Sequence, residues 1–309
     1  MSISYLRRFS SVFAILVSVI LGLLLPQIGI IWSAYTSIIL GFLMFMVALS
    51  VELQELFYSI RDYRMILIAF MMVLVFPPIL SLLGKPFFAS IEYAGIVLAL
   101  SAPSAISSVF WCDVFGGYTP LALIVSILTN LLAIVTLPVT LLLMIGLTSQ
   151  VDSVTIIINL IFLIVIPITA GQIIRRVFTK SSKKLVEKSP IIQHILIILL
   201  VWGATAPGAV FTRNNALIFA VFNIFFLLAL SGIFVLAYLI GRRFGQSQAI
   251  ALGLVSSHKN ATLAIVLGGL LLGPAALLPL IANLVAQNIF LIPARLVLEG
   301  RKRHSKVSA

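Results

Sequence analysis

The sequence predicts an all-α integral membrane protein of ten transmembrane helices, built as two inverted five-helix repeats, and three observations lead there. Of 309 residues, 62% are hydrophobic and 9% charged, and the mean hydropathy of +1.25 lies far outside the range of soluble domains. The apolar residues gather in runs near the about 20 residues that a helix needs to cross the hydrocarbon. The basic residues gather in alternate connections between those runs. The chain has room for about ten such spans and little else.

In chain order, residues 9–25 form the first span, after Arg7 and Arg8 and before Pro26. A basic stretch before an apolar run also opens a secretory signal, but no small-residue cleavage pattern follows, so the run is read as a retained helix. Residues 33–51 form the second span, followed by Glu52 and Glu55, loop charges among Arg61 and Arg64. The third covers 65–83 and the fourth 92–111, where Glu92 suits the positive end of the helix dipole. Asp113, a solvated terminus beside Gly116 and Gly117, precedes the fifth span at 120–143. Residues 153–177, 190–210, 216–241, 248–272 and 274–298 complete the ten. Trp32, Tyr35, Tyr58, Tyr63 and Tyr93 fall near span ends, where an interfacial aromatic belt belongs.

Orientation follows from the basic residues. One side carries Arg7, Arg8, Arg61, Arg64, the six between Arg175 and Lys188, Arg242, Arg243, Arg295 and the four between Arg301 and Lys306, 17 in all; the other carries Lys85 and Arg213. Lys259 is left inside the membrane. An even span count and this asymmetry predict a multi-pass protein of the cell membrane with both termini cytoplasmic. They also account for the net charge of +12 without a nucleic-acid partner. Cys112 is the only cysteine, so no disulfide framework or thiolate metal cluster is available, and it is expected to pack as a small hydrophobe.

A shift of 155 residues places Pro138 on Pro293, Pro103 on His258 and Pro120 next to Pro274. The halves, 1–150 and 151–309, read as repeats, and an odd number of helices in each makes the second enter the membrane in the opposite sense. The same shift pairs two polar breaks in apolar runs, SAPSAISS at 101–108 and SSHKN at 256–260. Polar residues inside a bilayer are costly unless they face a cavity, a partner or an ion, and paired broken helices point to a transporter's midplane site. The plainer alternative is that two spans meet at SSHKN in an exposed loop.

Further pieces stand in fixed order: IILGFLMFMVALSVEL at 38–53, LALSAPSAISSV at 98–109, TLP at 136–138, HKNATLA at 258–264 and GPAALLP at 273–279. With these the chain resembles the bile acid:sodium symporter family over nearly its full length. The resemblance implies a core domain of helices 3, 4, 5, 8, 9 and 10 and a panel domain of helices 1, 2, 6 and 7. It also implies broken crossing helices 4 and 9. In sodium-coupled members the ninth helix usually carries Glu, three residues, Gln and Asn, which coordinate two sodium ions with Ser, Thr and Asn groups of helices 4 and 5. Here Asn260 matches, but Lys259 stands at the Gln position and Val255 at the Glu position, while Ser104, Ala105 and Ile106 replace the usual Gly-Gly-Thr.

The expected substrate or ion site comprises Ser107, Ser108, Asn130, Ser256, Ser257, His258, Lys259, Asn260, Asn283 and Gln287. A sodium ion wants hard oxygens and benefits from a negative charge. Val255 supplies neither and Lys259 brings a cation, so the sodium site is expected to be degenerate. Lys259 would replace the ion, donating to Ser107, Ser108, Asn130 or unwound carbonyls; otherwise it snorkels to the surface. Uniport, exchange or proton coupling then precede sodium coupling as expectations, since a desolvated lysine can release its proton. His258 is either a proton relay or a hydrogen-bonded helix-end histidine, and neither His194 nor His304 completes a zinc set. Asn260 should serve the backbone groups that a broken helix orphans. Asn283, Gln287 and Asn288 mark one side of the tenth helix, lining the core or only locking its packing.

No cofactor is expected beyond a coupling proton or sodium ion. Half-helix N-termini and a lysine favour a small organic anion, carried by alternating access. The rivals are an arsenite-exporter-like carrier, a cation:proton antiporter, which would want an intramembrane carboxylate, and a channel or sensor without a transport cycle. An enzyme would need convergent nucleophile, base or metal groups, which the chain does not offer. The sequence assigns no oligomeric state.

Overall fold

A computed structural model describes residues 3–50, 63–146 and 153–307. The expected end of the second span at Val51, the loop charges Glu52, Glu55 and Arg61, and Tyr58 of the aromatic belt lie outside the described residues. The described chain is α-helical, and its one β element is an isolated bridge between Ser104 and Lys259.

α1 (Ile3–Leu24) gives way at Leu25 to α2 (Pro26–Ser33), bent from it by 105°. Pro26 sits in the first turn of α2, where its missing N–H is no loss. The indole of Trp202 donates to the Leu25 carbonyl at 3.3 Å, and Trp32 meets Trp202 edge-on at 6.3 Å. The stretch after Pro26, expected as a connection, is therefore a packed helix.

α3 (Thr36–Ser50) has 15 residues. α4 (Tyr63–Gly84) contains a π-turn at Met71–Val75, where the Phe76 N–H reaches the Met71 carbonyl. Pro77 and Pro78 follow and cannot donate, so the ladder widens around them. α8 (Val154–Val177) repeats the device, with a π-turn at Ile161–Val165 before Pro167.

The fourth run is two helices, α5 (Ser90–Ser101) and α6 (Ser107–Phe115), and the ninth is likewise two, α12 (Gln246–Ser257) and α13 (Ala261–Leu271). Between them lie α7 (Thr119–Ile145), α9 (Thr179–Thr205), α10 (Ala209–Asn214) and α11 (Ala216–Gly241). α14 (Pro274–Val307) ends the described chain. Three expected boundaries move outward, the first at α1, which starts at Ile3 and not at residue 9. α9 starts well before residue 190 and takes the Lys180–Lys188 cluster into a helix, and α14 continues past residue 298. Among the described residues six helices are long and apolar enough to cross a bilayer alone, and the bent α1–α2 pair makes a seventh.

The helices pack chiefly in two groups, α1–α3 with α8 and α9, and α4–α7 with α11–α14. Tyr93, expected at an interface, is 4% exposed and belongs to the apolar core; its helix is buried on nearly every side from Tyr93 to Ser101. α1 and α9 approach so closely at Gly22 that a Cβ there would fall on Thr205 Oγ1. Overpacking of this kind costs about 1–3 kcal/mol. Gly22→Leu should therefore lower the melting temperature of the detergent-purified protein, and Gly22→Ala should lower it less; an unchanged melting curve for the Leu variant contradicts the close approach.

Candidate functional site

The first helix break has a local cause. Pro103 has no N–H and disfavours the α region for the residue before it; Ala102 accordingly sits at φ −56°, ψ 143°. His258 is extended at φ −94°, ψ 94°. Each opened segment leaves backbone groups without helical partners, and the two segments pair with each other. Ala105 N–H donates to the His258 carbonyl at 2.9 Å and Asn260 N–H to the Pro103 carbonyl at 2.8 Å, on either side of the Ser104–Lys259 bridge. α6 and α13 both begin at this crossing, so two positive helix ends converge on it.

Asn260 caps α13: its Oδ1 accepts from Leu263 N–H at 3.2 Å and from the Thr262 hydroxyl at 3.0 Å. Its Nδ2 donates to Asn130 Oδ1 at 3.0 Å. Asn130 in turn donates to the carbonyls of Ser104 at 2.8 Å and Ser126 at 2.7 Å. One face of α7 thus carries Ser126, Thr129 and Asn130 at helical spacing. Thr129 accepts from Ser104 N–H at 3.2 Å. The hydroxyls of Ser104, Ser108 and Ser126 form a buried triangle with edges of 3.2, 3.3 and 3.1 Å.

Lys259 is 0% exposed. Its N–H donates to Gln287 Oε1 on α14 at 3.1 Å, and its Nζ donates to the Val73 carbonyl on α4 at 2.6 Å. That carbonyl is free for a reason. Its α-helical donor would be residue 77 and its π-helical donor residue 78, both proline, while Phe76 N–H is spent on Met71. The proline pair therefore leaves a bare acceptor inside the membrane and Lys259 fills it, a bond that offsets part of the cost of burying the lysine.

The structure brings Ser108, Asn130 and Asn260 into one network with Ser104, Ser126 and Thr129, and places Lys259 against Gln287. His258 Nε2 lies 3.1 Å from the hydroxyl of Ser107, which is exposed. Lys259 neither snorkels nor bonds Ser107, Ser108 or Asn130; those oxygens belong to the crossing, whereas the side chain leaves it toward α4. Ser256 and Ser257 donate back to the carbonyls of Leu252 and Gly253 of their own helix. Asn283 is buried with neither amide atom bonded among the described residues, and Asn288 bonds its own helix at Leu284. Sequence reasoning missed Ser104, Ser126, Thr129 and Val73. The spacing SILTN at 126–130 held a signal for two of these, and Pro77–Pro78 for the last.

Beside the crossing, Ile106, Ile127 and Asn130 meet Met44, Val47, Ala48, Ile168 and Gln172 of α3 and α8 around a cavity of about 20 Å³. It has room for a single water.

The sequence pattern of the Sodium Bile acid symporter family matches residues 37–211, more than half of the chain and inclusive of the first break. The chain belongs to that family. An uncharacterized protein of Bacillus subtilis, YbaS, is 23% identical over 285 residues, covering 88% of this chain and 91% of that protein. Members of the sodium bile acid symporter family are membrane transporters, which agrees with the apolar helices of a multi-pass membrane protein. The described network at the crossing is built of neutral hydroxyls, amides and backbone groups, and the Lys259 side chain lies beside it.

Asn130 is the joint of this network. Asn130→Ala leaves the Asn260 amide without its acceptor and the Ser104 carbonyl without its donor, at about 1–3 kcal/mol for each orphaned buried group. It should lower the melting temperature markedly, and the Asn130→Ala/Asn260→Ala double variant should lose less than the sum of the single losses. Additive losses in that cycle contradict the shared network.

Proposed function

We propose that the protein is a secondary transporter of a small organic anion in which Lys259 takes the place of a coupling sodium ion. The observation that carries the proposal is the fully buried Lys259, bonded to the bare Val73 carbonyl next to the crossing. On this reading ten spans form two inverted repeats, 1–150 and 151–309, in the cell membrane with both termini cytoplasmic. Three pairings support the repeat. Gly116 at φ 75° and Gly273 at φ 82° end α6 and α13, prolines open α7 and α14, and Pro138 and Pro293 lie inside those helices.

The group α1–α3 with α8 and α9 then acts as panel and the other group as core. The 20 Å³ cavity between them is too small for an organic anion. Binding requires the panel to draw away from Ile106 and Asn130, which is the movement that alternating access supplies. The converging starts of α6 and α13 favour an anion at the mouth. Transport runs as uniport, exchange or proton-coupled carriage ahead of sodium symport, because a cation beside the crossing is covalently part of the chain.

The test is uptake into proteoliposomes across a panel of radiolabelled organic anions, with sodium or choline as the external cation and with or without a pH gradient. Uptake should be equal in sodium and choline, and Lys259→Gln should reduce it at least tenfold. A strict sodium requirement in the wild type overturns the proposal, as does full activity of the Gln variant.

A further inference from the structure

A second feature is a groove whose lining contains none of the crossing residues. α4 and α11 leave an open groove of about 710 Å³ between them, walled by apolar side chains that include Phe76, Leu83, Phe87, Val221 and Leu228. This is within the about 300–1,000 Å³ of ligand pockets. Its inner wall is firm, for Phe88 stacks on Phe222 at 4.5 Å, while Leu228 at 71% and Phe87 at 78% are exposed.

Three observations specify what lies in it. The groove follows α11 from Val221 to Gly232, about 16 Å at 1.5 Å per residue, which is close to half of the roughly 30 Å hydrocarbon thickness. Its length is that of one leaflet. Gly232 sits in the middle of a helix, where glycine is less favourable than alanine, yet a Cβ there would meet nothing within 4 Å among the described residues. No described protein atom requires that glycine; it leaves space in the groove. Lys85 is exposed and stands in sequence between the groove walls Leu83 and Phe87, and on the proposed topology it shares its side of the membrane with Arg213.

We propose that this groove holds an acyl chain of one anionic phospholipid, whose phosphate is bound by Lys85 at the membrane surface. A neutral lipid would fill the apolar part equally well and gain nothing from the lysine. One basic residue near an anionic headgroup contributes about 1 kcal/mol, about a fivefold preference.

Native mass spectrometry of the full chain tests this in a neutral detergent with an equimolar mixture of phosphatidylglycerol and phosphatidylcholine of the same chains. The wild type should retain one lipid with about a fivefold preference for phosphatidylglycerol. Lys85→Gln should abolish the preference and keep the bound lipid. Gly232→Phe, which fills the groove, should remove the lipid whichever headgroup it carries, and Val221→Trp serves the same purpose should the first variant not fold. No preference in the wild type, a preference that survives Lys85→Gln, undiminished binding in the folded groove variant, or a dimer that retains no lipid each overturns the proposal.

Discussion

A peptide group inside a bilayer has no water to bond, so any helix that opens there must find partners for the groups it exposes. The whole arrangement around residues 102–106 and 258–260 follows from that constraint. Neither opened segment satisfies itself. Each lends a donor to the other, through Ala105 to His258 and Asn260 to Pro103, and each is the reason the other is tolerated. What remains is taken up by α7, whose Thr129 and Asn130 reach Ser104 from the side.

This division of labour separates two kinds of polar residue at the crossing. Asn130, Asn260 and the serine triangle are saturated by protein, and their contribution is a fixed geometry at the ends of α6 and α13. His258 retains free hydrogen-bonding capacity at Nδ1, as does Asn283 on α14 at both amide atoms, since these have no partner among the described residues. Buried groups left open are costly in a static protein and useful in one that changes state. The small cavity at Met44, Ile106 and Asn130 lies where the two helical groups meet, so their relative movement would uncover it.

The membrane-spanning helical class was legible from hydropathy alone, because a run of apolar residues of bilayer length admits few other structures. The two breaks were legible as well: Pro103 and the polar run at 256–260 are locally incompatible with an uninterrupted apolar helix. Helix ends in water were not. Neither the start of α9 at Thr179 nor the length of α14 has a hydropathy signal, because a charged helix continuing out of the membrane is polar like a loop. Side-chain direction was also hidden. Ser256 and Ser257 belong to the polar run but bond back to their own helix, and nothing in their identity distinguishes them from Ser108. The destination of Lys259 required knowing which distant carbonyl lacked a donor, a question of three-dimensional neighbourhood.

That destination has a genetic consequence. The acceptor for Lys259 is a main-chain atom, so the side chain at position 73 is free to drift among apolar residues without touching the bond. The dependence is written instead at residues 77 and 78, where a change from proline would return a backbone donor to that carbonyl. A lineage that lost the proline pair would remove the lysine's anchor with no substitution at either bonded residue, and comparison of contacting positions alone would not reveal the linkage.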